Sequence, residues 1–245
     1  MKKIIFVLCL SLFAKYIVAQ SVAINTDGSI ANGTALLDVK STTKGFLPPR
    51  LDSNQRNAIV SPAAGLTIYN TSIKAFQCYN GTAWYSTVHY IGEHYGGGTV
   101  FYIYDNGQHG LIAAPYDLGF LAWNSQWPNI YFSGSTGDGL NAGLMNTVLS
   151  VVTSATTMLN FAARACADYS ITVNGITYGD WYLPSKYELN LLYLQKNLVG
   201  NFGNFKYWSS TEMDAFNTWY QNFITGIQAT DVKNIVNNCR AIRAF

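Results

Sequence analysis

Apolar residues recur along this chain in two periods, and the switches between them mark its elements. Leu189, Leu192 and Tyr193 stand at helical spacing behind Ser185, and Glu188 follows that serine by three residues. This is a capping box opening a helix with one buried face. The preceding Gly179-Asp180-Trp181-Tyr182 reads as an aromatic strand that stops at Pro184. Leu144, Val148 and Val151, then Met158, Phe161, Ala162 and Ala165, predict helices over 141–152 and 154–168, with Thr153 or Ser154 as the cap between them. Thr99–Tyr104 and His109–Ala114 are β-prone runs joined by Asp105-Asn106-Gly107, which predicts a hairpin. Strands are expected at 207–211, 218–224, 226–230 and 239–245, with Asn237-Asn238 turning into the last. Hairpin, helices, then antiparallel strands is an α+β order.

The residues before Tyr90 have a different character. Short strands are expected at the start of Val22–Gly28, at Ala35–Val39, Gly65–Asn70 and Ala75–Tyr79, with one short helix over Asp52–Ile59 and a turn at Asn80-Gly81. The elements are short and alternate weakly, so this region buries little by itself. It reads as a β-rich stalk over 20–89, followed by one larger domain over 90–245.

Composition and charge sharpen this outline. Hydrophobic residues make up 49% and charged residues 11%, which excludes a disordered chain. Lys2 and Lys3, the apolar run Ile4–Ala14 and the small Ala19 form a signal peptide over 1–19, its apolar run too short for a membrane anchor. No later stretch is apolar enough to span a bilayer. Export removes Lys2, Lys3 and Lys15 from the 15 basic residues, leaving 12 against 13 acidic ones. That balance, with no basic cluster, argues against nucleic acid as a partner. Three cysteines remain. Cys166, in an Ala-rich helix, and Cys239, in the last strand, are expected to pair, leaving Cys78 over; the alternative is three free thiols.

Two stretches resemble known families. Leu37–Arg50 (LDVKSTTKGFLPPR), Gln55-Arg56, Gly65–Thr71 (GLTIYNT) and Tyr79–Trp84 (YNGTAW) are similar to a repeat-like segment of Bacteroidetes surface proteins, which implies display at the cell surface or secretion. From Ile91 to Phe245, GGGTVFYIYDNGQHGLIAA, AARAC, GDWYLPSKYELNLLY, YWSSTE and CRAIRAF resemble, in order, the Legionella collagen-like protein C-terminal domain family. That resemblance implies a C-type-lectin-like domain with antiparallel strands and two to three helices. It also implies adhesion to an extracellular glycan or protein, in some relatives as trimers. Residues 90–245 carry seven Lys/Arg and ten Asp/Glu, which argues against a sulfated glycan.

Candidate chemistry is sparse. His89, His94 and His109 lack metal-ligand spacing, so no metal or cofactor is expected. Ser209-Ser210-Thr211-Glu212 lacks a nucleophile elbow, and Asp180 with Glu188 has no spacing that fixes a glycosidase pair. The expected activity is binding without catalysis, by an exported protein. The alternatives are an oligomeric structural cap of a stalk or, further off, a polysaccharide hydrolase. The candidate ligand-binding residues are the loop aromatics Trp123, Trp127 and Tyr131 and the acidic loop Glu212, Asp214 and Asn217.

Overall fold

The computed structural model describes residues 21–124, 132–154 and 160–245; the signal peptide expected over 1–19 lies outside them. The chain divides into two units, one ending at Pro49 and the other spanning Arg50–Phe245. In the first, β1 (Val22–Ile24) and β2 (Leu37–Val39) pair in parallel, Val22 opposite Leu37 and Ile24 opposite Val39.

The second unit is α+β and opens with a four-stranded sheet. Its order is β3 (Arg50–Leu51), β4 (Thr67–Asn70), β5 (Ala75–Tyr79) and β6 (Trp84–Ser86), with β3 parallel to β4. Helix α1 (Ser53–Asn57) follows β3 and is opened by a capping box between Asp52 and Gln55. The inner face of this sheet is polar as well as apolar. The Gln77 side-chain oxygen accepts from Arg56 Nη1 and Asn70 Nδ2, each at 2.8 Å, and its amide donates to Ser86 Oγ at 3.2 Å. Gln55-Arg56 and Asn70, prominent in the sequence, thus do connected work: one caps the helix and the others pin it to the sheet.

The next sheet runs β17–β9–β8–β7, with β7 at His94–Tyr95, β8 at Gly98–Tyr104, β9 at His109–Ala113 and β17 at Ile242–Ala244. Successive side chains of a strand point to opposite faces, and here both faces are buried. Val100 and Ile112 join one apolar cluster with Trp123, Phe161, Trp181 and Trp208; Phe101, Leu111 and Ala113 join the other with Tyr182, Leu189, Tyr207 and Phe223. The Gly96-Gly97-Gly98 run is explained by this packing. A Cβ on Gly98 would lie 2.0 Å from the Ala113 carbonyl oxygen, and one on Gly97 2.5 Å from Ile171 Cγ2.

A five-stranded sheet completes the scaffold, in the order β10 (Gly119–Ala122), β16 (Val236–Cys239), β13 (Lys206–Glu212), β14 (Asn217–Asn222), β15 (Gln228–Val232). Only β13 and β16 run parallel in it. The helices are α2 (Ala142–Thr153), α3 (Ala162–Asp168), α4 (Lys186–Leu194) and α5 (Lys196–Val199), and β11 (Ile171–Val173) with β12 (Ile176–Tyr178) forms a separate hairpin. Among the described residues no helix is long and apolar enough to cross a membrane.

Three expectations are corrected. The stretch 179–182 is no strand: its backbone pairs only at one bridge, Tyr182 with Ile242, and its aromatic residues serve instead as core, Trp181 in one cluster and Tyr182 in the other. Asn237 and Asn238 lie within β16 rather than in a turn. Ser154 ends α2, whereas the N-cap of α3 is Phe161.

Candidate functional site

Four of the six residues proposed from the sequence lie among the described residues. Trp123 is buried in the core, where its indole N–H donates to the Ser209 carbonyl at 2.8 Å, so it offers no face to a ligand. Trp127 and Tyr131 lie outside the described residues. Glu212 is not a loop acid but the buried end of β13. Its carboxylate accepts from Lys233 Nζ at 2.5 Å, both side chains being fully buried, and from the backbone N–H groups of Ser133 and Ser135 at 3.0 and 3.1 Å. Asp214 and Asn217 close a tight turn. The Asp214 carboxylate accepts from the N–H groups of Phe216 and Asn217, each at 2.7 Å, and from Asn217 Nδ2. Those bonds, led by the Asn217 side chain, hold its carboxyl below the ordinary range. Glu212 thus ties the 132–135 segment to the sheet, and Asp214 with Asn217 holds a turn.

The two paired-cysteine positions are brought together. Cys166 and Cys239 are both fully buried and near enough to act on one another, the Cys239 thiol donating to the Gly119 carbonyl at 3.6 Å, and both are free thiols in this structure. Burial, then the neighbouring sulfur, pushes the Cys166 thiol well above its usual value. The other sequence candidates are engaged locally. Asp180 is held bidentately by Arg243, at 2.6 and 2.9 Å, and Ser209 Oγ donates to the Trp219 carbonyl at 2.9 Å. His109 lies 3.8 Å from Asp105 at the surface.

Sequence reasoning did not single out Asp117, a hub of the second unit. One of its oxygens accepts from Tyr207 Oη at 2.7 Å and from Asn238 Nδ2 at 2.6 Å, and the other from Arg240 Nε at 2.7 Å. Arg240 is fully buried, so its charge needs a carboxylate and carbonyl acceptors nearby; it has the Ala114 carbonyl at 2.9 Å as well. These partners lie about 90–120 residues apart in the chain, a separation no local pattern signals.

The feature that calls for a partner is in the first unit. The register of β1 and β2 places Val22, Ile24, Leu37 and Val39 on one face. Their exposures run from 42% (Val39) to 57% (Ile24), and Leu36 beside them is 81% exposed. Parallel strands are ordinarily covered on both faces, and an isolated two-stranded sheet is marginal in water. None of the described residues covers this apolar face.

Residues 23–106 match the family model of a phage tail like trimerisation region. The matched stretch begins in β1, takes in the whole β3–β6 sheet and ends just after β8. No curated protein matches the chain at a significant level. The likeness of residues 91–245 to the Legionella collagen-like C-terminal domain rests on the sequence motifs alone.

Proposed function

We propose that this is an exported structural and binding protein without catalytic activity. Its N-terminal segment assembles three copies into a stalk, and residues 50–245 are displayed for contact with an extracellular partner. The observation that carries this reading is the uncovered apolar face of Val22, Ile24, Leu37 and Val39. Full burial of an aliphatic side chain is worth roughly 1.5–3 kcal/mol, and about half of that is still to be gained at each of these positions. A second and a third copy of the same segment supply a face of the same chemistry, and closed rotational symmetry leaves no unsatisfied copy. The similarity of residues 23–106 to a trimerisation region supports three as the number.

Sedimentation equilibrium of the mature chain tests the reading. The expected mass is that of three chains, falling to one chain in the Ile24→Asp/Leu37→Asp variant, with the far-ultraviolet spectrum of the displayed unit kept. A monomeric wild-type chain at micromolar concentration overturns it.

A further inference from the structure

The second unit carries a cleft of about 980 Å³, at the upper end of the roughly 300–1,000 Å³ range usual for small-ligand sites. Its walls come from β6, from the 89–99 segment through β7, from the Pro115-Tyr116 turn and from the β11–β12 hairpin. Six aromatic rings line it: Trp84, Tyr85, Tyr90, Tyr95, Tyr116 and Tyr178. Three of them keep much of their surface in water, with exposures of 67% for Tyr116, 58% for Tyr85 and 40% for Tyr95.

Hydrogen-bonding groups sit among the rings. Glu93 Oε2 accepts from His89 Nδ1 at 2.8 Å, and the His89 ring lies against Tyr95 at a tilt of 36°, centroids 4.0 Å apart. That brings imidazole, carboxylate and phenol together, with Glu93 Oε1 unused by any described residue. His94 Nδ1 pairs with Thr99 Oγ1 at 3.2 Å, and its other ring nitrogen is likewise unused by any described residue.

Charge narrows the ligand. Among the described residues no lysine or arginine lines the cleft, and Glu93 is its only carboxylate; Arg56, near enough to act on the Tyr90 hydroxyl, is turned to Gln77 and Asn57. The nearby Arg243, whose guanidinium reaches the Gly96 carbonyl at 3.2 Å, is neutralised by Asp180. Phosphate, sulfate or a uronic acid would meet the Glu93 carboxylate with no lysine or arginine in the wall to offset it, at a cost that is large in a partly desolvated site. Aromatic faces beside a carboxylate, imidazoles and phenol hydroxyls instead suit a molecule with C–H faces and many hydroxyls.

We propose that this cleft binds an uncharged oligosaccharide, its sugar faces stacked on Tyr116, Tyr85 and Tyr95 and its hydroxyls donating to Glu93. The inference rests on the display role proposed for residues 50–245, and it does not require the trimer. Isothermal titration calorimetry of the full mature chain is the test. The probes are cello-, xylo-, manno- and chitotetraose, with a heparin-derived tetrasaccharide as the sulfated control. At least one neutral tetraose is expected to bind and the sulfated one not. Tyr116→Ala and Tyr85→Ala, both at exposed positions, are each expected to weaken binding by about tenfold or more, with the circular dichroism spectrum and sedimentation unchanged.

Three results overturn the proposal: no binding by any neutral tetraose, binding untouched by both substitutions, or preferred binding of the sulfated control. A change of oligomeric state in Tyr116→Ala or Tyr85→Ala without saccharide binding also overturns it, and assigns the cleft to a contact between copies. A monomeric chain that still binds the sugar refutes the trimeric stalk alone.

Discussion

The carboxylate of Glu188 accepts a hydrogen bond from the backbone N–H of Asn141 at 2.7 Å, so one side chain caps two helices. It completes the capping box of its own helix α4, accepting from Ser185 N at 2.8 Å, and also accepts from Gly143 N at 3.2 Å in the first turn of α2. Helix α2 needs this service, because its N-cap Asn141 sits in the left-handed region with no side-chain cap of its own. Tyr182 Oη adds a fourth donor at 3.2 Å. Burial pushes the Glu188 carboxyl above the usual range, while the Ser185 and Asn141 N–H groups pull it back.

Glu188→Ala is therefore expected to cost about 3 kcal/mol or more, since each buried donor left without a partner costs roughly 1–3 kcal/mol. Gly143→Ala should do similar damage, because its Cβ would fall 2.4 Å from Glu188 Oε2. Urea midpoints measure both. A loss under about 1 kcal/mol in Glu188→Ala would show that water takes over the caps.

Two buried tyrosines set an alkaline limit on stability. Burial raises the hydroxyl pKa of Tyr182, with Glu188 adding to it, and burial followed by the bond to Asp117 raises that of Tyr207. Both folded values lie above the unfolded value of about 10. Their stabilisation is thus fully present below about pH 10 and is lost as pH rises further, because the unfolded chain gives up protons that the folded one keeps. Tyrosinate absorbance should show two rings that titrate only as the circular dichroism signal collapses. Complete titration of the tyrosines in a still-folded chain would contradict this.

Cys166 and Cys239 give a direct count. Their buried thiols neighbour one another, Cys166 on α3 and Cys239 at the end of β16. In an exported chain, an oxidant of the secretory compartment takes two electrons from the pair as two protons leave, forming one disulfide that closes a loop of about 72 residues and adds ~2–4 kcal/mol. Denatured protein purified without reductant should then titrate with one thiol, Cys78, and reduced protein with three. Three thiols in the unreduced sample would show that the pair stays reduced.

Local chemistry was legible in the sequence and distant pairing was not. The Ser185/Glu188 box needs only residues three apart, and the β8–β9 hairpin only the Asp105-Asn106-Gly107 turn, where all three residues take positive φ. The α+β order followed from such signals. Strand β16 was hidden because Asn237-Asn238 has the composition of a turn. Its place in the sheet is supported by the Asn238 bond to Asp117, 121 residues away, and by pairing with β10 at a similar distance along the chain. Trp123 looked like a loop aromatic for a related reason. It follows β10 directly, and its partner, the Ser209 carbonyl, is 86 residues distant. The apolar residues of β1 and β2 were visible as short strands unable to bury much alone, but only their register puts four of them on one face.

The Glu212–Lys233 pair tests whether the acidic segment after β13 is scaffold. Both side chains are fully buried, and burial lowers the Lys233 pKa while Glu212 raises it again. Removing one member of such a pair leaves an uncompensated charge and costs roughly 3–5 kcal/mol, whereas removing both charges costs much less. Lys233→Met should therefore destabilise by about that amount and loosen the Ser133 and Ser135 amides that Glu212 holds, seen as faster hydrogen exchange there. Glu212→Gln/Lys233→Met should recover part of the loss, because glutamine keeps an oxygen for one of those amides and no charge is stranded. A double variant less stable than Lys233→Met alone would mean that the carboxylate, rather than the pair, holds the segment in place.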